Sequence, residues 1–149
     1  MKRTTIVETI SILFIIFFLY TGISKLMDYS VTKEQIALSP LLAPIAGWIV
    51  IVLPIAEIIV SVILFIPRTR LKGLYASLIL MTVFTGYVIY ILSYNEHLPC
   101  TCGGVLQSLS WKQHLLFNSV FIVLALTGIV LGRRIPNGID YSLKVNPAK

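Results

Sequence analysis

The chain has 149 residues, 57% of them hydrophobic and only 12% charged, against roughly 45–50% and about 25% in soluble globular domains. That composition excludes a water-soluble fold, and the length allows one domain, residues 1–149, with no large part outside the membrane. The net charge of +6 sits at the ends of apolar segments rather than on a basic stripe interleaved with aromatics, so membrane lipid and not nucleic acid is the partner it implies.

In chain order, four apolar stretches are long enough to span, since about 20 residues at about 1.5 Å rise cross a hydrocarbon core of about 30 Å. They cover residues 6–27, 44–66, 71–94 and 114–132. The first follows Lys2 and Arg3 as a signal peptide would, but it contains Glu8 and no small-x-small cleavage site follows it, so it is expected to be retained as a helix. Four spans so close in sequence must satisfy their backbone hydrogen bonds internally, which predicts an all-α membrane protein, an antiparallel bundle of four transmembrane helices. Gly22, Gly47, Gly73, Gly86 and Gly128, with Ala56, Ala76 and Ala125, are the small residues expected to let helices approach.

One set of helix ends carries Lys2, Arg3, Arg68, Arg70, Lys72, Arg133, Arg134, Lys144 and Lys149; the other carries Lys25, Lys33 and Lys112. The positive-inside rule then puts both termini (N-in/C-in), the 67–70 turn and a basic tail, 133–149, in the cytoplasm, and the loops 28–43 and 95–113 outside. The expected location is the inner, cytoplasmic membrane, crossed several times. Tyr29, Tyr94 and Trp111 fall where outer aromatic anchors belong, and Lys25 is expected to snorkel outward to the headgroups.

The third loop gathers the redox-active and ligand-like residues. It holds both cysteines, Cys100 and Cys102, with His97 before them, Gly103 and Gly104 after them, and His114 opening the fourth helix. Disulfides persist outside the cytosol, and a pair separated by one residue closes a small, strained ring of the labile, exchanging kind. Exchange therefore has Cys100 and Cys102 as its reacting thiols, His97 as the group that lowers a thiol pKa or acts as base, and the glycines as the turn that admits a partner's sulfur. A static disulfide that only shapes the loop is the plainer alternative. His97, Cys100, Cys102 and His114 also offer a zinc or copper donor set, but one residue between thiolates is tighter than the usual two to four, and no metal is the default expectation.

Glu57 lies near mid-bilayer in the second span, where a carboxylate costs several kcal/mol and marks a pathway, a relay or an internal pair. Pro54, three residues earlier, removes a backbone hydrogen bond beside it. Its expected partners are Thr82 and Thr85 of the third span, or Tyr20 or Asn118 in a tilted bundle; a protonated Glu57 bonded across helices competes with proton, quinone or ligand chemistry. Ser110 is placed to cap the fourth helix, and Asn118 sits one turn below His114 on the same face, to frame the floor of the cysteine loop or to glue helices together.

Thr21-Gly22-Ile23-Ser24-Lys25-Leu26, Leu53-Pro54-Ile55-Ala56-Glu57, Cys100-Thr101-Cys102-Gly103-Gly104 and Leu109-Ser110-Trp111 with His114 and Asn118 occur in this order along the chain. In these pieces the sequence resembles the MauE branch of the DoxX-like small membrane proteins, named for methylamine utilisation. The resemblance implies a four-helix protein concerned with thiol-disulfide handling outside the cytoplasm, in maturation of a disulfide-rich dehydrogenase subunit. The architecture is also similar to the core of vitamin K epoxide reductase, which passes electrons from thiols to a quinone, although that enzyme's further cysteine pair has no counterpart here.

The expected function is thiol-disulfide exchange through the outward-facing pair, supporting maturation of, or electron transfer to, an extracytoplasmic thioredoxin-like or cysteine-containing partner. No cofactor is firmly implied; a quinone is the one candidate. The competing readings are a non-catalytic subunit that anchors or assembles a larger membrane complex, and a small lipid or quinone carrier built around Glu57.

Overall fold

The structure, a computed structural model, describes residues 3–39, 41–94 and 111–135. Five α-helices follow one another: α1 (Arg3–Met27), α2 (Tyr29–Ala37), α3 (Ala46–Phe65), α4 (Arg70–Tyr94) and α5 (Trp111–Arg133), with a 3-10 turn at Ala43–Ile45 ahead of α3. Four of them, α1, α3, α4 and α5, are long and apolar enough to cross a membrane. No strand occurs among the described residues.

The spanning helices form a ring in which α1 packs on α3, α3 on α4, α4 on α5 and α5 back on α1. Each has one stripe at helical spacing that turns inward. On α1 it is Val7, Ile10, Phe14 and Phe18, on α3 Val60 and Leu64, on α4 Leu74 and Met81, and on α5 Ala125 and Ile129. An aromatic group seals the middle: Phe14 meets Phe121 edge-on at 5.2 Å between ring centroids, and Phe17 lies 4.8 Å from Phe121. The opposite faces carry exposed apolar side chains such as Ile12, Ile16, Val52, Ile59, Val83 and Val123, the arrangement required of a bundle whose solvent is hydrocarbon. Hydroxyls inside the ring stay satisfied by bonding back along their own helices: Ser11 to Val7 O, Ser61 to Glu57 O and Ser77 to Gly73 O.

Close approach is uneven among the glycines. A Cβ at Gly73 would lie 2.8 Å from Leu64 Cγ, and one at Gly128 3.2 Å from Leu74 Cδ1, so these two set the α3–α4 and α4–α5 distances. Gly47 and Gly86 have nothing within 4 Å and serve no helix contact. They face outward on α3 and α4, so the expectation attached to them does not hold.

The basic residues gather at one end. Arg70 at the start of α4 pairs with Glu8 near the start of α1 at 3.4 Å, and Arg133 at the end of α5 lies 5.6 Å from the Tyr75 ring. At the other end the connection from α1 to α3 is not a plain loop. α2 buries Ile36 against Ala46 and Val50 of α3. Gly22 of α1 faces Pro54 and Ile58 of α3, so α3 runs on for about 12 Å beyond that level at about 1.5 Å per residue. α2 packs beside this extension.

Candidate functional site

Below the α2 end of the bundle, the inward stripes change from apolar to polar. On α1 the stripe continues from Phe14 and Phe18 to Thr21, Gly22 and Lys25; on α3 it includes Pro54 and Glu57; on α5 it begins with His114 and Asn118. These groups meet at a cavity of about 20 Å³, bordered by Thr21, Lys25, Glu57, His114 and Asn118 and closed by Phe17, Phe18, Leu80, Met81 and Phe84. That is space for about one water molecule.

Lys25 Nζ donates to Glu57 Oε1 at 2.6 Å, with Lys25 only 1% and Glu57 4% exposed. The expectation that Lys25 snorkels to the headgroups is therefore corrected. α1 runs toward the end at which Lys25 lies, and side chains on an α-helix tilt back toward its N-terminus. The Lys25 side chain is thus aimed down into the bundle, where Glu57 waits across the α1–α3 contact. Its ammonium also lies 5.5 Å from the Phe84 ring centroid, close enough for a cation–π contribution. Charges in such surroundings are tolerated when paired and hydrogen-bonded.

The pair depends on how closely two backbones approach. A Cβ on Gly22 would lie 3.2 Å from the Pro54 carbonyl oxygen and 3.4 Å from Glu57 Oε2, so a larger residue at position 22 would crowd the carboxylate. Pro54 has no N–H to give the Val50 carbonyl, yet α3 continues through it.

Glu57 Oε2 and Asn118 Nδ2, both at the cavity, have no hydrogen-bond partner among the described residues. The neighbouring Thr21 hydroxyl is 3.3 Å from the Phe18 carbonyl and also within reach of the carboxylate. A buried acceptor left without a partner costs about 1–3 kcal/mol, more when charged. His114 and Asn118, one turn apart, are both buried, as their spacing on one face foretold.

The threonines named as partners of Glu57 do not reach it. Thr82 is exposed on the outer face of α4 and bonds to Leu78 O at 2.7 Å; Thr85 bonds to Met81 O at 2.7 Å. Tyr20 is exposed as well. The residues that sequence reasoning left out of the site are Thr21, Lys25 and Phe84. Phe18, Thr21, Gly22 and Lys25 recur at the spacing of one helix face, which was the available signal for the first two; Phe84 carried none.

His97, Cys100, Cys102, Gly103, Gly104 and the proposed cap Ser110 lie outside the described residues, and of Trp111 only the backbone, as the first residue of α5, is described. The segment that holds them joins the end of α4 to the start of α5, from which His114 and Asn118 enter the cavity.

No match was found among curated proteins or among solved structures. The family described as Methylamine utilisation protein MauE matches residues 3–131, which include all of α1 through α4, most of α5 and every residue of the cavity. The chain belongs to the MauE family.

Proposed function

We propose that the protein is a redox-associated membrane protein that exchanges disulfides through Cys100 and Cys102 with a thioredoxin-like or cysteine-containing protein outside the cytoplasm. In the exchange a thiolate of the pair attacks the partner's disulfide. A mixed disulfide forms as the partner's S–S bond breaks and one partner thiolate leaves. The second cysteine then attacks the mixed disulfide, closing Cys100–Cys102 and releasing the partner as a dithiol; the reverse order oxidises the partner. His97 would hold the attacking sulfur as thiolate.

The observation that carries this reading is one of placement. α5, the helix that follows the cysteine segment, enters the bundle with His114 and Asn118, and both border the cavity of the Lys25–Glu57 pair. The cavity is thus lined by residues of the helix that directly follows, in sequence, the segment holding the only two cysteines of the chain. Membership of a family named for methylamine utilisation supports a place in the maturation of an exported protein.

In this proposal the electrons pass between the cysteine pair and a protein partner.

The test is capture of a mixed disulfide. With Cys102→Ser, attack of Cys100 on the intact disulfide of an oxidised thioredoxin-like partner, one partner thiolate leaving, should give a reductant-sensitive adduct that no second cysteine of this chain resolves, and the reciprocal variant should give it on Cys102. The Cys100→Ser/Cys102→Ser variant should fold and trap nothing. Equal capture without either cysteine would sink the exchange reading and favour a subunit that only anchors a complex.

A further inference from the structure

We propose that the cavity between α1, α3, α4 and α5 is a water-binding proton-exchange site, with Glu57 Oε2 as the atom that takes up and gives back the proton. This site is independent of whether Cys100 and Cys102 react.

The two oxygens of Glu57 have different surroundings. Oε1 is held by Lys25 Nζ at 2.6 Å. Oε2 faces a water-sized space with no partner among the described residues, and the Asn118 amide nitrogen on the same cavity has a donor to give and no acceptor. An acceptor and a donor around room for one molecule match water, which donates to Oε2 and accepts from Asn118 Nδ2. An apolar molecule would leave both atoms unsatisfied, and a larger polar one would not enter.

A water in that place gives the carboxylate a route that its other oxygen lacks. A proton arriving on the water passes to Oε2; the water keeps its own atoms, Glu57 becomes a neutral acid, and Lys25 keeps its charge and its bond to Oε1. The site thus moves from zero net charge to one positive charge, and back when the proton leaves. Few groups around Glu57 compete for the proton. α1 presents Lys25 and α5 presents His114, whereas α4 presents Leu80, Met81 and Phe84, none of which titrates. On α3 itself, the Ser61 hydroxyl is committed to the Glu57 carbonyl at 2.9 Å. Because His114 and Asn118 enter at the start of α5, the water has its shortest way out at that end of the bundle; toward the other end the phenylalanines of α1 and α5 close the interior.

The experiment is infrared difference spectroscopy on the full chain in lipid vesicles, stepped from neutral to acidic buffer in H₂O, D₂O and H₂¹⁸O. Wild type should lose a carboxylate band and gain a carboxylic-acid band that shifts in D₂O, together with a water O–H stretch that shifts in H₂¹⁸O. Both should be missing from Lys25→Gln/Glu57→Gln, a variant that keeps a neutral hydrogen-bonding pair of similar shape and so protects the fold. Asn118→Leu should lose the water band and slow proton uptake about tenfold, since a hydrogen bond to the relaying water is removed. Cys100→Ser/Cys102→Ser, although it exchanges no disulfides, should show the same infrared changes as wild type. The proposal is overturned if no carboxyl change belongs to Glu57 while the helices remain intact, if Asn118→Leu exchanges at the wild-type rate, or if the signals vanish with the cysteines.

Discussion

Removing one member of the Lys25–Glu57 pair strands the other's charge between helices, and that asymmetry makes the pair testable apart from any catalytic role. Lys25→Met should destabilise the bundle by about 3–5 kcal/mol, the usual cost of breaking a buried ion pair, whereas Lys25→Met with Glu57→Met should recover most of the loss, because apolar replacements of a whole pair are often neutral. Unfolding in mild detergent, run as a double-mutant cycle, measures the coupling. Independent effects of the two substitutions would show that the 2.6 Å contact contributes nothing. At this scale the sequence was legible in part. Glu57 declared itself as a charge in an apolar run, and Asn118 followed from its spacing to His114. The direction of Lys25 was misjudged, because near a helix end snorkelling to the headgroups competes with the backward tilt of side chains that turns it inward. Thr82 and Thr85 share a depth with Glu57 but not a face, and depth is all that counting from a helix end supplies.

Helix contacts supply a second, internally controlled set of predictions. Gly73→Ala would push a methyl against Leu64, including its backbone nitrogen at 3.0 Å, and should cost about 1–3 kcal/mol as an overpacked contact. Gly86→Ala on the same helix meets nothing and should be neutral or slightly stabilising in the same unfolding assay. Gly22→Leu should loosen α1 from α3 by crowding Pro54 and Glu57, with a loss comparable to that of Lys25→Met. If Gly73 and Gly86 behave alike, the α3–α4 packing is wrong. Hydropathy revealed the four spanning elements because each is a long run with few charges, a signal that tertiary context cannot disguise. α2 escaped it: Tyr29–Ala37 mixes Lys33 and Glu34 with Val31 and Ile36, too short and too polar to stand out until it is seen to rest on the protruding start of α3. The glycines could not be ranked from sequence, since only the partner helix decides which of them faces a contact.

For the molecule in its membrane, the gathering of Glu8–Arg70 and Arg133–Tyr75 at one end shows that the basic ends of the spans belong together. Withdrawing Lys25 from the opposite surface makes the asymmetry steeper than sequence counting suggested, since its charge is spent inside the bundle. The positive-inside rule then predicts that a membrane-impermeant maleimide labels reduced Cys100 and Cys102 in right-side-out vesicles and not in inside-out ones. Labelling from the cytoplasmic side would reverse the topology and remove the compartment on which disulfide exchange depends. Cys100 and Cys102 were visible as a pair in sequence, but what they react with is a property of another protein, which one chain does not encode.

The cross-helix pair also bears on how the chain enters the bilayer in the first place. Glu57, in the middle part of α3, would cost a helix inserting alone several kcal/mol in lipid, and the only described residue that neutralises it is Lys25 of α1. The cheaper path is for the two to leave the insertion machinery as one hairpin, with α2 as its bend and the salt bridge already made. Biogenesis of this protein would then begin with the assembly of its candidate site.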